Sequence, residues 1–218
     1  MIILNYFDCR GRVQPLRNFL TERNIPFIDK KISVTDNFTE WSKLSPNVEI
    51  SGPFGLMPTC QIDPHGPIIA ESLVIAQELD NSMSLNDKML ISAVYQEVIQ
   101  YIGLLIWADL AFPGVDRKSF AQGLFSRMTQ RFSRFEQFFI LKDDGLNFSM
   151  ADHFLGEGID AAIYAFGNKF VEFLSSCPKL SSFYENYHTK IREYCRPQQF
   201  TGRPQEANVV KELRELIQ

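Results

Sequence analysis

Ile2-Ile3-Leu4-Asn5-Tyr6-Phe7-Asp8-Cys9-Arg10-Gly11-Arg12-Val13 stands at the head of the chain, and its reading decides the fold. Ile2 to Tyr6 is an apolar run of strand length, and Val13, Leu16 and Leu20 follow at helical spacing. Asn24-Ile25-Pro26 ends that helix. Ile28, Ile32 and Val34 fall at even spacing on a second strand, while Thr59 to Ile62 and Pro67 to Ala70 flank Asp63-Pro64-His65-Gly66 as a hairpin. Leu73, Val74, Ile75 and Leu79 make a closing helix. The order is β-α-β, an irregular connection, then β-β-α. A βαβ unit gives parallel strands with a right-handed crossover, and a short turn gives an antiparallel pair. Residues 1–80 are therefore expected to form a small mixed sheet with helices against it.

Seven of the eleven prolines lie in the first 67 residues, and the chain changes character near residue 80. Asn81-Ser82-Met83-Ser84 reads as a short polar linker. From Leu85 onward the pattern is helical, clearest in Phe120, Leu124, Met128, Phe132, Phe135 and Phe139, which trace one helix face. Ser149-Met150-Ala151-Asp152 sets a hydroxyl at an N-cap with an acid three residues later, ahead of Phe154, Ile159, Ile163 and Phe166. The expected class is α+β with two domains: a mixed βαβ-ββα sheet domain over 1–80 and an all-α domain over 85–218.

Apolar residues at 45% and charged residues at 22% of 218 fit a folded globular chain. A net charge of −4 offers no basic field for a phosphate backbone or an anionic bilayer, so no nucleic-acid partner is expected. The stretch Val98 to Phe112 is broken by Gln100 and Asp109 and is shorter than a membrane span needs, and Met1 to Leu4 lacks the form of a signal peptide. No membrane span is expected, and the location read from this is cytoplasmic. Cys9, Cys60, Cys177 and Cys195 match neither a zinc site nor a CxxC pair, and reduced thiols are the simplest reading. His65, His153 and His188 have no metal or triad spacing and receive no role.

Three places are fit for chemistry. At Tyr6 to Arg12 a strand runs out and a helix begins, so free N–H groups, two arginines and a phenol converge where an anion or thiolate would be stabilised. Tyr6 packed in the sheet beside two solvated arginines would satisfy the same residues. At Phe54-Gly55-Leu56-Met57-Pro58-Thr59 a proline stands at the mouth of a strand, a place suited to a residue that donates no hydrogen bond. At Glu71-Ser72 a hydroxyl opens a helix, where it serves as a plain N-cap or takes a carboxylate.

In this order and with these gaps the three resemble the cytosolic glutathione S-transferases over the whole chain. Tyr6, Phe7, Arg10, Gly11, Arg12 and Arg17 carry the resemblance, which is to the tyrosine-type classes and nearest to sigma. It implies a thioredoxin-like first domain and a homodimer. It also implies glutathione as co-substrate, small hydrophobic electrophiles as acceptors, and a role in detoxification. Tyr6 would donate its O–H to the glutathione thiolate, with Arg12 adding positive charge. Met57, before a Pro58 expected to be cis, would pair its backbone with the cysteinyl unit. Glu71 and Ser72 would take the γ-glutamyl end, and Trp41 and Lys43 the glycyl carboxylate. The acceptor pocket would be lined by Phe7, Arg12, Tyr101, Leu104 and Trp107, with Phe200 as a wall. A core or interface place suits Trp107 equally well.

Departures accompany the matches. Leu56 stands where the family usually has a polar residue, and Gln100 where many relatives contribute an acid. The acidic cluster associated with a divalent ion in sigma-type prostaglandin D synthases would fall on Gln96, Ile99 and Gln100, and no metal is expected. Three alternatives stand beside conjugation: an isomerase or peroxidase of prostaglandin-endoperoxide type, thiol redox chemistry on Cys9, and a ligand-binding or crystallin-like descendant without turnover. The tail after Thr201, with Val209, Val210, Leu213, Leu216 and Ile217, reads as an amphipathic helix, packed on the surface or covering the pocket.

Overall fold

The computed structural model describes residues 1–34, 38–107, 114, 116–138, 147–191, 194, 199–203 and 205–217. Cys195, Phe139 and the 108–112 end of the apolar stretch read above lie outside them. Strand β1 (Ile2–Phe7) leads into helix α1 (Gln14–Glu22) and strand β2 (Phe27–Ile32). Two short helices, α2 (Thr39–Leu44) and α3 (Val48–Ser51), precede strands β3 (Thr59–Gln61) and β4 (Ile69–Ala70) and helix α4 (Ser72–Leu79). The sheet order is β2-β1-β3-β4; β1 and β2 are parallel and β3 and β4 antiparallel, as the crossover and turn arguments require, and β1 and β3 also pair antiparallel.

The second strand is shorter than its alternation suggests. β2 ends at Ile32, Ile28 is exposed, and Val34 is buried just beyond the strand. Helices α2 and α3 are absent from the sequence reading because a six-residue and a four-residue helix are too short to display a period, and α2 buries none of its residues.

The helical part begins with α5 (Leu85–Val94), a π-helical turn (Tyr95–Ile99) and α6 (Gln100–Ile106), which run on as one rod. Leu85–Ile106 is long and apolar enough by composition to cross a membrane. Here it is a core element: Val94, Val98, Ile102 and Ile106 are fully buried. Then come α7 (Arg117–Phe138), α8 (Met150–Phe166), α9 (Asn168–Leu174), α10 (Pro178–Ile191) and α11 (Glu206–Leu216). On α7, Leu124, Met128 and Phe132 are buried, so that face is core as its spacing implies. Helix α8 is the central post. Ser149 Oγ accepts from the Asp152 N–H and the Asp152 carboxylate accepts from the Ser149 N–H at 2.8 Å, the reciprocal cap read from the sequence. Gly156 lets α10 press close, since a Cβ there would stand 2.2 Å from the Tyr187 ring.

Polar groups join the two parts. Asn18 on α1 donates to Glu157 Oε1 and to the Tyr187 hydroxyl, each at 2.8 Å. Buried Glu22 at the end of α1 accepts from His153 Nε2 at 2.8 Å, from the Phe148 N–H at 3.1 Å, and from Lys190. Burial alone would push the Glu22 carboxyl up, but these donors outweigh it and hold it below the usual carboxylate range. Tail helix α11 buries Val209, Val210 and Leu213 against the helical part, so it packs there and does not roof the pocket.

Candidate active site

The turn after β1 is held open by two buried arginines. Arg17 pairs with Asp29 at 3.0 Å and donates to the Cys9 carbonyl at 2.7 Å and the Phe7 carbonyl at 3.3 Å, fixing the turn to α1 and β2. Arg10 is not solvated. It pairs with Asp160 on α8, and its guanidinium lies over the Tyr164 and Phe200 rings at 5.0 and 5.6 Å. The segment 199–201 is laid along the same turn. Arg10 N–H donates to the Gln199 carbonyl at 2.9 Å and Gly11 N–H to the Phe200 carbonyl at 2.7 Å. Buried Glu206 anchors that segment by accepting from the N–H groups of Phe200 and Thr201.

Tyr6 is 6% exposed, and its hydroxyl accepts the Arg12 N–H at 3.2 Å. Burial pushes the phenol well above its usual value, so it stays protonated and keeps its own O–H to donate. Gly11 makes room for it: φ is +41°, and a Cβ would stand 2.6 Å from the Tyr6 oxygen. The Arg12 guanidinium lies 6.0 Å over the Tyr95 ring, at the start of the π-helical turn.

Tyr6 faces a cavity of about 370 Å³ between sheet and helices. Phe7, Arg12, Trp41, Met57, Leu104, Trp107 and Phe200 line it with Tyr6, so eight of the residues singled out from the sequence converge. Met57-Pro58 is cis, as expected at the mouth of β3. Lys43, Glu71 and Ser72 are not among the lining residues. Lys43 is exposed on α2; Glu71 and Ser72 follow β4, whose Ala70 pairs with Thr59 next to Pro58. Tyr101 is not among the lining residues either. Gln100, Gly103, Leu104 and Trp107 share the helix face that lines the cavity, and Tyr101, one residue round, sits beneath the Arg127 guanidinium at 4.7 Å.

Phe38, Ile99, Gly103 and Thr201 also line the cavity and escaped the sequence reading as site residues. Phe38, the residue flanking α2, lines the cavity and touches Phe7 and Trp107. It had no periodic signal because it lies outside regular structure. Ile99 closes the π-helical turn and lines the cavity, and no residue type encodes that turn. Cys9 is buried and absent from the lining, and burial pushes its thiol up to about 12, which removes the thiolate that redox chemistry needs. Among the described residues no group of three His, Cys, Asp or Glu is placed to hold a metal ion.

The mixed four-stranded sheet, followed by a helical domain with the cavity between them, is the glutathione S-transferase fold. A glutathione S-transferase of the hookworm Necator americanus, described as monomeric, superposes with a TM-score of 0.68 at 20% identity, covering 91% of this chain and 99% of that one. Rat hPGDS complexed with a quinoline superposes at 0.62 and 20% identity, covering 85% and 89%. In sequence, the chain is 33% identical over 96 residues to glutathione S-transferase 4 of Caenorhabditis elegans, covering 44% of this chain and 42% of that protein. It is 29% identical over 111 residues to mouse hematopoietic prostaglandin D synthase, covering 49% and 51%. The match thus spans about half the length of these curated relatives. No family model matches. The likeness is to the glutathione S-transferase family, in sequence over about half the chain and in fold over most of it.

Proposed function

We propose that this chain is a tyrosine-type glutathione transferase that joins the thiol sulfur of glutathione to small hydrophobic electrophiles. The observation that carries the reading is the buried Tyr6 hydroxyl, which accepts the Arg12 N–H and faces an apolar cavity. A free thiol of this kind titrates near 8.5, and lowering it by two units takes about 2.7 kcal/mol of preferential stabilisation of the anion. A charge-assisted O–H···S⁻ bond from Tyr6, with Arg12 on the cavity wall, supplies a term of that size. The thiol proton leaves to solvent. The thiolate attacks the electrophilic carbon, a C–S bond forms, and the leaving group departs with its electron pair.

The peptide part of glutathione has places to sit. Met57 offers its backbone beside the cis bond to Pro58, in the manner of an added strand. Ser72 opens α4 with a buried hydroxyl that has no hydrogen-bond partner among the described residues, after Glu71 at φ +73°. Both features suit a γ-glutamyl carboxylate. Trp41 would lie along the glycyl end. Exposed Lys43 would have to swing in to reach it.

The test is a spectroscopic pH titration of the bound glutathione thiol in wild type and Tyr6→Phe. The expected outcome is a wild-type pKa one to two units below about 8.5, returning toward it in the variant. An unshifted wild-type pKa would reject the transferase reading in favour of a carrier. A second reading, a glutathione-dependent isomerase or peroxidase acting on endoperoxides, uses the same thiolate and is favoured by the likeness to hematopoietic prostaglandin D synthases in sequence and fold. A cytoplasmic detoxifying role and a homodimer belong to the same proposal. Phe54, 67% exposed, and Leu85, 73% exposed, are side chains a partner subunit would cover. Sedimentation at micromolar concentration would show two chains.

A further inference from the structure

We propose that Phe38 selects the acceptor, and that the acceptor it selects is a flat aromatic ring, neutral or anionic; this rests on the transferase reading above. Phe38 flanks α2 with φ +63°. A bulky side chain in the left-handed region is an outlier that persists only where its surroundings hold it. Those surroundings are the cavity wall. Its ring stands edge-on to Phe7 at 5.2 Å and tilted against Trp107 at 5.8 Å, while Phe7 stands edge-on to Trp41 at 5.5 Å. Trp41, Phe7, Phe38 and Trp107 therefore form one row of rings from α2 across the cleft to the end of α6. Phe38 is the link in that row between the sheet side and the helical side.

A row of ring edges and tilted faces discriminates by shape. Aromatic pairs gain from edge-to-face and offset contact beyond the area they bury, whereas a flexible alkyl chain of equal area gains the burial alone. Charge narrows the class further. Four rings would suit a cation in isolation. Here, however, the charged side chain among the described lining residues is Arg12, no Asp or Glu joins it, and the Arg203 guanidinium already lies 5.6 Å over the Trp107 ring. Another cation in that apolar space would meet like charge at low dielectric.

Trp41 and Trp107 are the only tryptophans of the chain and both line the cavity, so intrinsic fluorescence reports its occupancy. The experiment titrates the full chain, with glutathione present, with naphthalene-1-sulfonate. Octane-1-sulfonate and trimethyl-1-naphthylammonium then compete for the site. Wild type is expected to favour the flat anion about tenfold over either competitor. Phe38→Ala should bring the flat-to-flexible ratio close to one, and Phe38→Tyr, which keeps the ring, should restore it. An unchanged ratio in Phe38→Ala, or a flexible anion bound as tightly as the flat one by wild type, overturns the proposal. Equal binding of the cation overturns its charge component. Failure of the transferase reading would show separately, as an unshifted thiol pKa in wild type with the ring selectivity intact.

Discussion

The hydroxyl of Tyr6 is useful because of two neighbours, and each has a distinct physical part. Arg12 N–H occupies one lone pair of the oxygen, orienting the phenol so that its proton points elsewhere. Gly11 yields the space. Gly11→Ala would force a Cβ to within 2.6 Å of the Tyr6 oxygen at φ +41°, a conformation alanine resists. We expect a loss of about 1–3 kcal/mol in urea unfolding together with a bound-thiol pKa displaced upward. Unchanged values for both would show that Tyr6 does not depend on this turn. The residue types at the turn were legible in the sequence, because a phenol, two arginines and a glycine at a strand end have few joint uses. Their division of labour was not. Arg10 and Arg12 stand two residues apart, yet one is buried against Asp160 and the other lines the cavity, a difference set by what packs above the turn.

Among the elements, α8 carries most of what joins the molecule. Its first turn is fixed by Ser149 and Asp152, and its faces present His153, Glu157 and Asp160 to α1, to the Tyr6–Arg12 turn and to α10. Ser149→Ala removes an acceptor for the Asp152 N–H and is expected to cost about 1 kcal/mol, read as a lower urea midpoint with an unchanged slope. A changed slope would mean that the two parts no longer unfold together. This cap was readable because it is local, a hydroxyl and an acid at fixed spacing. The π-helical turn at Tyr95–Ile99 was not, since no local residue pattern marks it. The amphipathic tail was legible as a helix, but whether it roofed the pocket depended on which neighbours were free to receive Val209 and Leu213.

For the whole molecule, the join between sheet and helices is polar and titratable. Glu22 is ionised in a buried nest made by His153, Lys190 and the Phe148 N–H, and its folded pKa lies below the unfolded value of about 4.3. Between those two values the unfolded chain binds more protons, so stability is full above about pH 4.3 and is lost as pH falls through the folded value. Glu22→Gln should lower stability at neutral pH by about 1–3 kcal/mol and flatten its decline in acid, as followed by urea unfolding across pH 3–7. A variant as acid-sensitive as wild type would place that sensitivity elsewhere. None of this was readable from His153 or Glu22 as residues far apart in the chain, and His153 had been given no role. By itself the sequence determined what rests on near neighbours: strand and helix order, the mixed sheet, the capped helix, and the residue types at Tyr6 to Arg12, because periodicity, capping and turn chemistry act over a few residues. Only the tertiary structure decided that Phe38 enters the cavity while Tyr101 leaves it, that Arg10 is buried, and that Glu22 meets His153. Those outcomes depend on which surfaces of distant segments compete for the same space, and packing settles that for all of them at once.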